Sequence, residues 1–123
     1  MVLAEKLVTV IERGTVNTRW RDFVDIYTLA HMHSLDGAVL FQSIKKVARH
    51  REVALISLAP FLKGYAAIAQ SRWAAWLRKQ RLTEAVPTEF QTVLDFIIKF
   101  AEPMVTNSLV EKRWDSAIAR WID

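Results

Sequence analysis

The sequence predicts an all-α fold: a single domain over residues 1–123, built as one bundle of five to six helices. Three observations predict it. Apolar residues recur at i, i+3, i+4 and i+7 in one segment after another, the spacing of a core-facing helix. Gly14, Gly64 and Pro103 punctuate those segments at points where helices end. No internal repeat, low-complexity tract or flexible linker divides the chain. A composition of 52% hydrophobic residues with five tryptophans argues against disorder and supplies a real core.

The first helix is predicted over Val2–Arg13, with Leu3, Leu7, Val10 and Ile11 as its buried stripe and Gly14 ending it. Lys6 lies off the centre of that stripe. It reads either as a solvated lysine whose stem covers apolar surface or as an ammonium placed for phosphate. The short connection Thr15–Asn17 makes the next helix an antiparallel neighbour, which brings Lys6 near its start. That second helix is predicted over Thr18–Ala30, with Thr18 as N-cap. Trp20, Phe23, Val24 and Tyr27 form its core face. Arg19, Arg21, Asp22 and Asp25 crowd its first turns, with Arg21 and Asp25 four apart on one face. A salt-bridged core helix and a polar functional site both fit these residues.

His31 and His33 do not share a helix face, and no carboxylate spacing completes a metal site with them. No metal ligand is therefore assigned. Ser34 is the predicted cap of a third helix over Leu35–His50, with Asp36 in its first turn. Ser57–Lys63 reads as a helical turn that tolerates Pro60 near its start. A longer helix over Ala66–Arg81 aligns Trp73, Trp76, Leu77 and Gln80. Those tryptophans read first as core, and secondarily as stacking platforms for RNA bases. Thr88 and Gln91 form a predicted capping box for a helix over Glu89–Ala101, which Pro103 stops. Ser108–Asp123 reads as a final short helix carrying Trp114, Ile118 and Trp121.

There is no cysteine, no apolar run of membrane-spanning length and no visible signal peptide, which fits a cytoplasmic protein. The net charge of +4 is unevenly distributed. Between residues 41 and 81 stand Lys45, Lys46, Arg49, Arg51, Lys63, Arg72, Arg78, Lys79 and Arg81 against Glu52 alone, while both flanks are mildly acidic. Such a concentrated positive field attracts polyanions. Arg72, Arg78, Lys79 and Arg81 are read as contacts to RNA or phosphate.

Several of these residues also occur in a recognisable order. Glu5-Lys6 on the first helix is followed by Arg19-x-Arg21-Asp22-x-x-Asp25 on the second, and later by QSRWAAWLRKQRL at Gln70–Leu82. This pattern resembles the C-terminal part of the AbiEii/AbiGii nucleotidyltransferase toxins, and the resemblance runs through most of the chain. It implies the toxin half of a bacterial toxin–antitoxin pair, hence an antitoxin partner. It further implies transfer of a nucleotide from a nucleoside triphosphate to RNA, notably tRNA, with magnesium. On that resemblance Lys6, Asp22 and Asp25 are the catalytic candidates, with Arg19 and Arg21 beside them on RNA or phosphate, and the choice between the two aspartates stays open.

The chain departs from the family's pattern in one respect. The family's Gly-Ser motif and metal-binding aspartate lie on an N-terminal mixed sheet. Here Gly14, Gly37 and Gly64 are followed by Thr15, Ala38 and Tyr65, and the sequence begins almost on the lysine motif. The expectation is a helical part that works with a catalytic nucleotidyltransferase domain outside these residues, inactive alone and holding no cofactor of its own. The alternative is a non-catalytic relative acting as an RNA- or protein-binding helical module. A helical half without its sheet exposes apolar surface, so a homodimer is a further expectation.

Overall fold

The computed structural model describes residues 2–14, 19–105 and 112–123. Among these are six helices and one small sheet. The helices are α1 (Val2–Arg13), α2 (Trp20–Met32), α3 (Gly37–Arg51), α4 (Leu58–Phe61), α5 (Tyr65–Lys79) and α6 (Phe90–Val105). The strands are β1 (Leu35–Asp36), β2 (Arg113–Asp115) and β3 (Arg120–Ile122), antiparallel in the order β1-β2-β3. The all-α bundle read from the sequence is the fold, with this minimal sheet added at one end. No helix among the described residues is long and apolar enough to cross a membrane.

Helix α1 is the centre of one half of the bundle. It packs on both α2 and α3. Ala4, Val8 and Thr9 are therefore buried along with the sequence-predicted Leu3, Leu7, Val10 and Ile11. Gly14 follows it with φ +55°, a left-handed conformation that glycine adopts without penalty. A Cβ at Gly14 would also overlap the Phe61 ring of α4.

In the other half, α5 packs on α6, and α6 also packs on α2. An aromatic cluster joins the three. Phe90 of α6 stacks on Trp73 of α5 with centroids 4.6 Å apart, and meets Phe23 and Trp20 of α2 edge-on at 5.2 and 5.8 Å. Trp73 is fully buried, and its indole N–H donates to the Pro87 carbonyl at 3.2 Å. It is core, as the helical spacing indicated first, and no base can stack on it. Trp76 stacks on Trp73 and is half-buried.

Four local expectations are corrected. First, Asp36 and not Ser34 caps α3: its Oδ1 accepts from the Val39 N–H at 3.1 Å. Leu35–Asp36 pairs with Arg113–Trp114 as a strand, so the helix starts two residues later. Ser34 instead binds the hairpin, its Oγ accepting from the Ser116 N–H at 3.1 Å.

Second, the segment carrying Trp114 and Trp121 is a hairpin and not a helix. Trp114 and Trp121 are cross-strand partners, and aromatic pairs of this kind stabilise strands. The Asp115 side chain accepts from the Ala117 N–H at 2.9 Å, closing the turn. Third, Pro103 lies inside α6, which continues to Val105. The proline sits in the last turn and forfeits one helical bond, while Met104 beyond it is buried in the core. Fourth, Gln91 turns to Asp95 at 2.8 Å, and the N-terminus of α6 is bound from α5: Gln70 Oε1 accepts from the Phe90 N–H at 2.7 Å. The predicted cap Thr18 and the segment from Ser108 to Glu111 lie outside the described residues.

Candidate functional site

The α1–α2 packing brings Lys6 against two carboxylates one turn apart on α2. Lys6 Nζ lies 2.8 Å from Asp25 Oδ2 and 3.3 Å from Asp22 Oδ1. Each aspartate holds a second cation from its own helix. Arg21 Nε donates to Asp25 Oδ1 at 3.1 Å, four residues away along one face. Arg19 Nε stands 3.1 Å from Asp22 Oδ2, an ion pair without hydrogen-bond alignment. The result is one continuous network, Arg19–Asp22–Lys6–Asp25–Arg21, with three cations on two anions. Its local excess is therefore one positive charge.

Burial grades across it. The Asp22 side chain is 3% exposed, those of Asp25 and Lys6 are 21% and 22%, and those of Arg19 and Arg21 are more than half exposed. Asp22 thus forms the floor, Lys6 and Asp25 the rim, and the arginines the outer edge. The ion pair to Asp25 holds the Lys6 ammonium above its ordinary value of 10.5. Burial opposes that rise, and Asp22 adds to it. Lys6 is therefore cationic throughout the neutral range.

Among the described residues, no group of three or more His, Cys, Asp or Glu side chains could hold a metal ion. Asp22 and Asp25 are both neutralised by cations, and that donor set does not fit magnesium, which takes ionised oxygens free to coordinate. His31 is engaged elsewhere: its Nδ1 is 2.8 Å from the Tyr27 carbonyl oxygen, and its ring stacks on Phe96.

The remaining sequence-predicted site residues lie on or just after α5. Arg72, Arg78 and Lys79 are exposed on that helix. Arg81 follows it with φ 58° and is also exposed. None of the four forms an ion pair with a described residue. Of the other basic residues of the middle third, Lys45, Lys46, Arg49 and Arg51 fall on α3, which packs on α1, and Lys63 lies between α4 and α5. The strong charge between residues 41 and 81 is therefore divided mainly over two helices with different packing partners.

One supporting pair escaped the sequence reading. Arg51 Nη1 donates to Thr9 Oγ1 at 2.9 Å, and Thr9 Oγ1 donates to the Glu5 carbonyl at 2.8 Å. These bonds tie the C-terminus of α3 to the turn of α1 that carries Glu5 and Lys6. The signal was present as a lone threonine in an otherwise apolar stripe.

No curated protein and no solved structure matches the chain. The family described as the nucleotidyl transferase AbiEii toxin of type IV toxin–antitoxin systems matches over residues 1–118. That span holds the whole Lys6–Asp22–Asp25 network and both basic helices, and a toxin–antitoxin family implies an antitoxin as partner. The chain belongs to the AbiEii nucleotidyltransferase toxin family.

Proposed function

We propose that this chain forms the helical part of a toxin that transfers a nucleotide from a nucleoside triphosphate to RNA, with tRNA as the acceptor. The observation that carries the reading is the ammonium of Lys6 held at the rim by Asp25 and Asp22 within a chain of this family. A triphosphate is a polyanion, and the network has one cation in excess to meet it. Lys6 serves the phosphates, with Arg19 and Arg21 on the outer edge. Asp25, the more exposed carboxylate, is the polar or basic group toward the acceptor hydroxyl. Asp22, on the floor, orients Lys6. Arg72, Arg78, Lys79 and Arg81 contact the RNA backbone. The Gly-Ser segment and its metal-binding aspartate come from outside these residues, which accords with the poor fit of Asp22 and Asp25 to magnesium.

The exposed cations Arg72, Arg78, Lys79 and Arg81 also suit a second reading, an RNA- or protein-binding module without catalysis. One experiment separates the two. Purified chain is incubated with tRNA, magnesium and each labelled triphosphate, alone and together with a Gly-Ser-bearing nucleotidyltransferase segment of the same family. Label is expected in tRNA only in the combined reaction. No label in either reaction would leave the binding module as the function, and label with the chain alone would overturn the external catalytic segment.

A further inference from the structure

We propose that the stripe Gln42, Lys45, Lys46 and Arg49 on α3 is a second binding face, for the phosphate backbone of RNA. It rests on the RNA reading above and adds to it a surface separate from the α5 cations. These four positions follow i, i+3, i+4 and i+7, so they line one side of the helix over about 10 Å, enough for neighbouring phosphates of one strand. Helix α3 contains no carboxylate from Gly37 to Arg51. Lys45, Lys46 and Arg49 form no ion pair with a described residue. Lys45 is instead held over the Phe41 ring, its Nζ 4.9 Å from the centroid, which fixes the ammonium without neutralising it.

The stripe lines an open groove of about 430 Å³, together with Ser43. A second groove shares Ser43 and Lys46 with the first and reaches Glu5. His50 and Arg51 also line that second groove, so the basic track runs from the middle of α3 to its C-terminal end and stops at the Glu5 carboxylate of α1. Hydroxyl, amide, ammonium and guanidinium donors in one groove are the set that contacts phosphate oxygens. The helix dipole accounts for cations in the last turn, such as Arg49 and Arg51. It does not account for Lys45 and Lys46, which lie further in.

The test is binding of fluorescent tRNA to the 123-residue protein between 50 and 200 mM salt, without triphosphate. Lys45→Gln/Lys46→Gln/Arg49→Gln is compared with the parent and with Arg72→Gln/Arg78→Gln/Lys79→Gln/Arg81→Gln. The α3 variant is expected to weaken binding on the order of tenfold at low salt and to flatten the salt slope by about one per lost contact. Unchanged affinity and slope would overturn the proposal, as would failure of the parent to bind RNA. Displacement of the tRNA by polyglutamate at equal charge would reassign the face to an acidic protein. Lys46→Glu, a single exposed change, probes the same face with the same expected direction if the triple variant does not fold. Because no triphosphate is present, failure of nucleotide transfer leaves this result unaffected.

Discussion

Lys6 Nζ and Asp25 Oδ2 meet at 2.8 Å across the α1–α2 interface, between side chains that are each about one-fifth exposed. The pair is neither a free surface contact nor a sealed core bridge. It is dry enough to be strong and open enough to be reached, as the exchange of a carboxylate for a phosphate proposed for Lys6 requires. Asp22 lies beneath it, nearly sealed, so the two carboxylates differ sharply in hydration.

That difference predicts an order of stabilities. Asp22→Ala leaves Lys6 with one partner and removes a buried group with two cations around it, at a cost of about 3 kcal/mol. Asp25→Ala is expected to cost about 1 kcal/mol, since its side chain is better hydrated. Urea unfolding of both variants measures this. A larger loss for Asp25→Ala would contradict the assignment of Asp22 to the floor.

The pH dependence follows from the raised Lys6 value. A lysine held above its unfolded 10.5 binds its proton more tightly when folded. Its stabilisation is fully present below 10.5 and is lost as pH rises through the folded value. Tyr65, raised from 10.0 by burial against the opposing field of Arg72, acts in the same direction. The stability difference between parent and Lys6→Met is therefore expected to stay constant from neutral pH to about 10 and to shrink above it. A difference that already changes between pH 6 and 8 would point to another group.

Much of this was legible in the sequence, because helices announce themselves locally. The spans of α1 and α5, the buried Trp20, Phe23 and Val24 of α2 (though not its Ile26 and Ala30) and the approach of Lys6 to Asp22 follow from helical spacing and one short connection. What was not legible depends on distant partners. A single-stripe reading of α1 misses Ala4 and Val8, because it assumes one packing partner and α1 has two. Ser34 and Asp36 are equally good caps in isolation. Pairing of Leu35–Asp36 with Arg113–Trp114, near the other end of the chain, decides between them. The hairpin itself has strands of three residues, too short for an alternating pattern, and only the repeated Arg-Trp at 113–114 and 120–121 hints at it.

The hairpin makes its own prediction. The Trp114 indole N–H donates to the Ala30 carbonyl at 2.6 Å, in the last turn of α2, where helical carbonyls lack partners. The Trp121 indole N–H donates to the Phe100 carbonyl, further inside α6, at 2.9 Å. Trp114→Phe keeps a ring but strands a buried acceptor, at about 1–3 kcal/mol. Trp121→Phe is expected to cost less, because its bond is only partly buried. Thermal melts of the two variants should fall in that order, and equal melting temperatures for Trp114→Phe and the parent would refute the capping role.

Gly14→Ala should destabilise twice over. The left-handed backbone costs about 1 kcal/mol for a residue with a Cβ, and the new methyl group meets the Phe61 ring. Combining it with Phe61→Ala removes the second effect alone. The double variant is therefore expected to lose less than the sum of the single losses in denaturant unfolding. Strict additivity would mean that Gly14 and Phe61 do not meet.

The central claim is that Lys6 serves nucleotide transfer, and its most direct test is the rate of tRNA labelling in the combined reaction with the Gly-Ser-bearing segment. Lys6→Ala is compared with the parent and with Lys99→Ala, a change on an exposed position of α6. Circular dichroism confirms that all three fold. The account predicts a loss on the order of a hundredfold for Lys6→Ala, with Lys99→Ala at the parental rate. Parental labelling by folded Lys6→Ala would contradict it.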